Sequence, residues 1–238
     1  MLILAFESTA QTASAALWRD GDLLAEYSVN SKNTHSVTLL PMAEKMLTAC
    51  GLSVSAVDAF ACSAGPGSFT GIRIGVATVK GLAFAADRPC VGVSSLEALA
   101  YVLRDADGIV APLISARRMQ YYSALFRVRG GSVERLSPDG ILLLPEISSV
   151  LFPYSEPIRL NGDGYGDVFP TLTHPHLLST PPRLRLPSAF SVAECASEIL
   201  RSAPGTDRFS ASALAPVYLR ATQAEREREE RLRASRET

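Results

Sequence analysis

The first hundred residues alternate short apolar runs with turn residues and stretches of helical spacing. The apolar run Met1–Phe6 predicts an inner strand, and Arg19-Asp-Gly-Asp22 between two β-prone runs predicts a hairpin. Five strands are predicted in this part: Met1–Phe6, Ser14–Trp18, Leu23–Val29, Ala59–Ser63 and Cys90–Val93. Three helices are predicted as well: His35–Cys50, Ile72–Ala86 and Ser95–Arg104. Three strands followed by alternating helices and strands are typical of a mixed sheet with helices on its faces.

The pattern is weaker after residue 107, where we predict a second lobe. Its predicted strands are Ile109–Ser115, Tyr121–Val128, Ile141–Leu144 and Ile158–Leu160. Its predicted helices are Pro145–Phe152 and Ser191–Ser202. Within 153–187, Pro and Gly are frequent, and a glycine turn at Asn161–Gly166 is the main feature. We therefore predict an α/β protein with a first lobe at 1–107, a second lobe at 108–221 and a charged tail at 222–238.

Composition narrows the class of protein. Hydrophobic residues make up 47% of the 238 residues, which is enough for a sizeable core. The formal net charge of -1 shows no basic excess, so we expect no tight binding of nucleic acid by this chain alone. Cys50, Cys62, Cys90 and Cys195 lack metal or redox spacing, which indicates reduced thiols in a cytoplasm. The apolar start at Met1–Phe6 is too short for a signal peptide or a membrane span.

A glycine-rich loop, Gly65–Gly71, lies between a predicted strand and a predicted helix. Backbone N–H groups at a helix N-terminus attract anions, which makes Gly65, Gly67 and Ser68 candidate nucleotide-binding residues. The alternative is a tight turn capped by Ser68 or Thr70, since the Gly-Lys-Ser/Thr of a Walker A loop does not follow. His174-Pro-His176 could suggest a metal, but its Pro-rich surroundings and the lack of a nearby Cys argue against one. A nucleophile motif such as Gly-x-Ser-x-Gly is also missing, so we predict no metal site and no catalytic residue.

Two predicted helices carry more apolar surface than one buried face needs. The helix Ile72–Ala86 is small or apolar nearly all round, and its charge is nearly confined to Arg73 and Lys80. The helix His35–Cys50 offers many Leu and Met side chains at helical spacing. The pattern alone favours helices buried within the lobe, and a surface for a second protein is the alternative.

Several of these segments together resemble the TsaB (YeaZ) family. The most specific is Gly65-Pro-Gly-Ser-Phe-Thr-Gly-Ile-Arg-Ile-Gly75. The other segments that carry the resemblance are Met1–Thr9, His35-Ser-Val-Thr-Leu-Leu-Pro-Met42, Lys80-Gly-Leu-Ala83, Val91-Gly-Val-Ser-Ser-Leu96, Ser115-Ala-Arg117 and Pro216-Val-Tyr-Leu-Arg220. The resemblance covers the first hundred residues well and is thinner beyond them.

The resemblance implies an actin-like ATPase fold of the ribonuclease H-like type, and a role in threonylcarbamoyladenosine modification of tRNA. The family is related to TsaD, the catalytic threonylcarbamoyl transferase, whose members carry a His-x-x-x-His metal pair. The matching helix here begins with His35 but has Leu39 at the second position, so one ligand is missing. We therefore expect an accessory subunit without activity of its own.

The resemblance therefore implies that this chain acts through protein–protein interaction. It implies pairing with TsaD, together with the ATPase TsaE, in the complex that modifies the tRNA adenosine beside the anticodon. It also implies contact with tRNA only through that complex, a homodimer when the chain is alone, and no membrane. The expected partner-binding residues are Leu39, Leu40, Met42, Met46, Arg73, Ile74, Ala77, Thr78 and Gly81.

Two departures from the family pattern bear on nucleotide binding. The first hairpin carries an acidic residue near the metal and phosphates in actin-like ATPases, which makes Glu7, Ser8 and Thr9 candidate contacts. It reads Phe6-Glu-Ser-Thr9 instead of Ile-Asp-Thr-Ser/Ala, and Ser115-Ala-Arg117 replaces Asp-Ala-Arg. The two missing Asp residues weaken a metal–nucleotide site and leave weak ATP or ADP binding open. An independent actin-like ATPase or kinase is the alternative function, and a peptidase is a third.

Overall fold

The first sheet contains the five strands predicted at the start of the chain. The structure, a computed structural model, describes residues 1–30, 35–117, 119–203 and 207–220. The predicted tail, 222–238, lies outside these ranges. The strands are β1 (Leu2–Glu7), β2 (Thr12–Arg19), β3 (Asp22–Asn30), β4 (Ala59–Gly65) and β5 (Cys90–Ser94). They lie in the order β3-β2-β1-β4-β5, with β1 antiparallel to β2 and parallel to β4.

Two long helices bury one face of this sheet. The helices of this part of the chain are α1 (His35–Ala49), α2 (Phe69–Ala86) and α3 (Ser95–Tyr101). Met46 of α1 and Ile72 and Val76 of α2 pack with Leu4 and Phe60 of the sheet in one core. The hairpin that joins β2 to β3 has the positive φ values that an Asp-Gly turn requires. Local signals and burial therefore agree in this lobe.

The second sheet is built from short strands. They are β6 (Gly108–Ser115), β7 (Gln120–Ser123), β8 (Phe126–Arg129), β9 (Ser132–Arg135), β10 (Gly140–Leu143), β11 (Ile158–Asn161) and β12 (Leu177–Leu178). Their main order is β10-β7-β6-β11-β12, and β8 pairs with both β6 and β9. The remaining α-helices are α4 (Leu144–Leu151), α5 (Tyr165–Val168) and α6 (Ala189–Ser202). The two sheets with their flanking helices form the predicted two-lobed mixed α/β architecture.

The predicted strand Tyr121–Val128 is divided into β7 and β8 by a break in its ladder. Both halves pair antiparallel with β6 in one continuous register. That register places Pro112 opposite Ala124, and proline has no N–H to donate to the ladder. The break is therefore a consequence of the partner strand and not of residues 121–128 themselves.

Helix α6 returns to the first lobe, although the sequence analysis placed it in the second, at 108–221. It covers the face of the first sheet opposite α1 and α2, where Val192 packs with Ile3 and Trp18. Further along the chain, Leu214 enters the core between the sheet and α1 and α2. The predicted second lobe is therefore too long. The spacing of α6 identifies its buried face but not the sheet on which that face packs.

Candidate functional site

The hairpin between β1 and β2 lies directly against the glycine-rich loop. The Ser68 N–H donates to the Thr9 carbonyl oxygen at 2.7 Å. Gly67 has a φ of +154°, and a Cβ at this position would lie 2.6 Å from the same oxygen, so glycine is required for the approach. The structure thus brings the candidate nucleotide-binding residues of the hairpin and the loop together and joins them backbone to backbone.

Ser8 seats this hairpin on the first turns of α2. Its hydroxyl donates to the Gly71 carbonyl oxygen at 2.8 Å, while the Ser68 hydroxyl caps the helix by accepting from the Gly71 N–H at 3.2 Å. A Cβ on Gly71 would lie 1.9 Å from the Ser8 carbonyl oxygen, and a Cβ on Gly75 would lie 2.5 Å from the Ser8 hydroxyl. Two glycines one helical turn apart therefore allow the hairpin to pack directly on α2.

Glu7 ends β1 as a fully buried carboxyl group. One carboxyl oxygen accepts from both the N–H and the hydroxyl of Thr9, each at 2.6 Å, and the other accepts from the Ser63 hydroxyl. Burial raises the pKa of Glu7 above its ordinary value, and this effect exceeds the lowering by the Ser63 and Thr9 donors and by nearby His35. Glu7 therefore joins Thr9 of the hairpin to Ser63 of β4 through buried hydrogen bonds.

Exposure limits what the hairpin can offer to a nucleotide. Glu7 is 0% exposed, and Ser8 and Thr9 are each 1% exposed. A Cβ on Gly65 would lie 2.2 Å from the Val217 carbonyl oxygen, so this part of the loop is covered as well. A phosphate would have to displace these protein contacts to reach the hairpin. Binding of ATP or ADP here stays a prediction.

Replacement of Glu7 by glutamine is expected to flatten the pH dependence of stability. Folding raises the pKa of Glu7 above 4.5. The protonated carboxyl group therefore makes a contribution to the free energy of unfolding that is fully present below that pH. It is lost as the pH rises through the folded pKa. Urea unfolding between about pH 4 and 8 should therefore show Glu7→Gln gaining stability relative to the parent as the pH increases. Parallel pH profiles would contradict the assignment.

The glycine turn of the second lobe also lies in close contact with the neighbouring backbone. Asp163, which is itself exposed, accepts the Ser115 N–H at 2.7 Å. A Cβ on Gly162 would lie 2.2 Å from the Leu113 carbonyl oxygen. Ser115, which stands where the family pattern has Asp, contributes its backbone N–H to this turn.

The candidate metal position at the start of α1 is occupied by protein contacts. His35 Nε2 lies 2.9 Å from the Ala10 carbonyl oxygen, and Leu39, one turn later, is 1% exposed in the core. Among the residues that the structure describes, no three His, Cys, Asp or Glu side chains form a group that could hold a metal ion. The absence of a metal and of catalytic residues in this chain stays a prediction.

Helix α2 is apolar on two sides. Its inner side packs on the sheet, and its outer side faces away from the core. Phe84 is 82% exposed on the outer side, and nothing lies within 4 Å of a Cβ placed on Gly81. Helix α1 lies beside α2 and adds exposed apolar side chains of its own. We use the term outer face for Val37, Leu40, Arg73, Ile74, Ala77, Thr78, Gly81 and Phe84.

The predicted partner-binding residues divide between this face and the core. Leu40 of α1 lies on the outer face, as do the residues predicted on α2. The remaining three, Leu39, Met42 and Met46, are 1%, 6% and 0% exposed and pack within the first lobe. Their prediction as surface residues needs correction, because the helical spacing of α1 does not tell which side turns toward the sheet.

The sequence analysis missed two exposed residues of the outer face. Phe84 stands three residues after Gly81 and seven after Ala77, so helical spacing already placed it beside them. Val37, which is 63% exposed, stands three residues before Leu40 on α1. Both residues could have been found by extending the predicted stripe by one turn.

The residues after Leu214 also reach the first lobe, a contact that local sequence signals do not reveal. We use the term return segment for residues 214–220. The Val217 N–H donates to the Ala64 carbonyl oxygen at 2.7 Å. The two charged side chains of α2 bond to the segment: Arg73 to the Tyr218 hydroxyl at 2.9 Å and Lys80 to the Leu214 carbonyl oxygen at 3.0 Å.

The composition of α2 would also suit a membrane span. Within the described part of the chain, Phe69–Ala86 is the single helix that is long and apolar enough to cross a bilayer. In this protein the same helix packs on the first sheet through Ile72, Val76 and Val79. Burial against the first sheet thus explains why the inner side of α2 is apolar. It does not explain why the outer side is apolar as well.

Comparison with known proteins identifies the family. The profile of a family described as "TsaD: tRNA N6-adenosine threonylcarbamoyltransferase" matches residues 23–227. The tRNA threonylcarbamoyladenosine biosynthesis protein TsaB of Bacillus subtilis is 36% identical over 162 residues, which cover 68% of this chain and 71% of that protein. The chain belongs to the TsaB (YeaZ) family. The resemblance identified from the sequence motifs is confirmed.

Further TsaB relatives agree with this assignment. The Escherichia coli TsaB protein is 35% identical over 149 residues, covering 62% of this chain and 64% of its own. The solved structure of YeaZ from Pseudomonas aeruginosa superposes with a TM-score of 0.78 at 30% identity, covering 92% of this chain and 99% of that one. The two-lobed actin-like fold that was predicted is therefore the fold of this TsaB-family chain.

Proposed function

We propose that this TsaB-family chain is a non-catalytic subunit that docks on a TsaD-like protein through its outer face. The observation that carries the proposal is an uncharged stripe on α2, formed by the exposed Ala77, Gly81 and Phe84 and by the half-buried Ile74. An exposed apolar stripe with small residues suits close packing against another protein. The missing second histidine, at Leu39, supports a role without metal-dependent transfer chemistry.

The family match supports a TsaD-like protein as the partner. Because the TsaD profile spans residues 23–227, a TsaD-like protein carries a lobe of the same kind, with its own counterparts of α1 and α2. Two similar helix pairs can meet about a local twofold axis, with the same patch on both sides. The same geometry serves a homodimer when the chain is alone. Docking on TsaD and self-association are then competing uses of one surface.

The names of the relatives support a wider role in tRNA threonylcarbamoyladenosine biosynthesis. The complex would include a TsaE-like ATPase and would install threonylcarbamoyl on the tRNA adenosine beside the anticodon, in the cytoplasm. With a net charge of -1, this chain would reach tRNA through the complex and not by its own affinity. Its contribution is to bind and hold the catalytic subunit.

A charge placed on the outer face is expected to abolish the complex. Ala77 is exposed, so Ala77→Glu should leave the fold intact while placing a new carboxylate in an apolar part of the interface. We expect affinity for the same organism's TsaD to fall at least about a hundredfold. Light scattering on a sizing column and titration calorimetry measure this, and circular dichroism checks the fold.

Phe152→Glu provides a matched control. Phe152 is 79% exposed at the end of α4 in the second lobe, so the same new charge there should not change the affinity. If Ala77→Glu binds TsaD as tightly as the parent, the outer face is not the docking surface. If the parent itself forms no complex, the proposed function is wrong, and ATP or ADP titration then tests the alternative of an independent ATPase or kinase.

A further inference from the structure

Arg73 is held in one pose at the N-terminal end of the outer face. Its guanidinium lies over the Phe69 ring, 3.9 Å from the ring centroid, and its Nε donates to the Tyr218 hydroxyl at 2.9 Å. The Phe69 and Tyr218 rings are themselves 4.8 Å apart between centroids. The guanidinium and the two rings therefore form one cluster, which we call the arginine clasp. The clasp joins the return segment to α2.

The clasp leaves part of the guanidinium available to a second protein. The contact with Tyr218 uses Nε, and none of the ion pairs within the described ranges of the chain includes Arg73. The side chain is also exposed. A planar guanidinium presents its terminal N–H groups as a fork that fits a carboxylate. Stacking on Phe69 fixes the plane of that fork before any partner arrives, which reduces the entropy lost on binding.

The charge that α2 contributes comes from two residues. Arg73 and Lys80 are the only charged residues of α2, and the Lys80 ammonium group bonds to the Leu214 carbonyl oxygen. On α2, Arg73 is therefore the exposed cation that an incoming surface meets at the edge of the uncharged stripe, whereas Lys80 is half-buried. Arginine and tyrosine in such positions are frequent among the residues that dominate interface energetics.

We propose that Arg73 is a preformed anchor for an acidic side chain of the TsaD-like protein, and that Tyr218 is the residue that positions it. The inference rests on the proposed function, because it assigns a specific contact to the same docking surface. It adds the return segment to that surface, and it predicts a carboxylate on the partner opposite Arg73. The uncharged stripe would supply contact area, and the anchor would set the orientation.

The test measures the affinity of TsaD for variants of the full chain at several salt concentrations. We expect Arg73→Met to weaken binding about tenfold and to reduce its salt dependence, since a charge pair is lost. Arg73→Lys should weaken binding nearly as much, because lysine keeps the charge but not the stacked fork. Tyr218→Phe, which removes only the hydroxyl group, should weaken binding severalfold in the parent and not at all in the Arg73→Met background.

The controls separate this inference from the proposed function. Arg129→Met removes an equal charge from an exposed position on β8 and should not change the affinity. If Ala77→Glu abolishes binding while Arg73→Met has no effect, the anchor is wrong and the docking surface stands. If neither variant has an effect, both proposals are wrong.

The charged tail of the chain is a competing source of a carboxylate. A full-length variant with glutamine at the tail glutamates Glu225, Glu227, Glu229, Glu230 and Glu237 should bind TsaD as the parent does. It should also lose the same factor of affinity when Arg73→Met is added. If the glutamine variant instead removes the effect of Arg73→Met, the carboxylate belongs to the tail and the proposed anchor is overturned.

Discussion

Replacement of Gly71 by alanine is expected to destabilise the protein by more than about 3 kcal/mol. The new Cβ would lie 1.9 Å from the Ser8 carbonyl oxygen, which is backbone and has no rotamer with which to move away. The β1–β2 hairpin would have to lift from α2, and its hydrogen bond from the Ser8 hydroxyl to the Gly71 carbonyl would be strained or lost. Urea unfolding followed by circular dichroism measures the change.

Gly81 offers a matched control in the same helix. A Cβ at Gly81 meets nothing within 4 Å, so Gly81→Ala should stabilise the protein by about 0.5–1 kcal/mol through helix propensity alone. Gly75→Ala should be intermediate, because its nearest neighbour is the rotatable Ser8 hydroxyl at 2.5 Å. Equal effects of Gly71→Ala and Gly81→Ala would show that the hairpin is not seated on α2 as described.

Loss of Arg104 is expected to have the second large effect on stability. Arg104 forms an ion pair with Glu194 of α6, whose side chain is only 9% exposed. Burial raises the pKa of Glu194, and Arg104 opposes that shift. Arg104→Met leaves this carboxylate buried without its partner, which should cost about 2 kcal/mol near pH 7, less than for a fully buried pair because Arg104 is partly exposed.

The pH dependence of that variant provides a check on the cause. Without Arg104, the folded-state pKa of Glu194 is expected to rise further, so the lost stability should return in part as the pH falls through it. Glu194→Gln in the same background should restore stability near pH 7, because the amide carries no charge to desolvate. Denaturant unfolding of the single and double variants measures both effects. A loss that is independent of pH, and that Glu194→Gln leaves unrepaired, would contradict this cause.

Most of the first lobe could be predicted because local signals specify its elements. The Asp-Gly turn, the short apolar runs and the helical spacing identified all five strands of its sheet and the three helices near them. Helix α2 begins at Phe69 instead of Ile72, since Ser68 caps it and adds a turn that the spacing alone did not show. Errors of this size at a helix end are expected from sequence reading.

The second lobe depends more on contacts between distant residues. The ladder break opposite Pro112 is visible only when the pairing with β6 is known. The hairpin of β8 and β9 was missed although Gly130-Gly131, between Val128 and Val133, is a turn signal. No local signal in the sequence indicated the sheet on which α6 packs. A helix that is apolar on one side can cover either sheet with equal local preference.

The candidate site shows the same division between local and distant information. Helical spacing identified α1 and α2 as unusually apolar, but it did not separate the buried Met46 from the exposed Leu40. The arginine clasp joins Arg73 to a residue 145 positions later, and no pattern around either residue reveals the other. The burial of Glu7 was also not predicted, because an acidic residue after a strand usually suggests an exposed ligand group.

The return of α6 to the first lobe has a consequence for folding during synthesis. One face of the first sheet, with Ile3 and Trp18, is covered by α6, which the ribosome makes roughly 100 residues after β5. At about 5–20 residues per second, that apolar face stays open for roughly 5–20 seconds while the second lobe is being made. The lobe that starts first is therefore completed last. Its nascent form, with a half-covered sheet, is a natural substrate for chaperones that bind emerging chains.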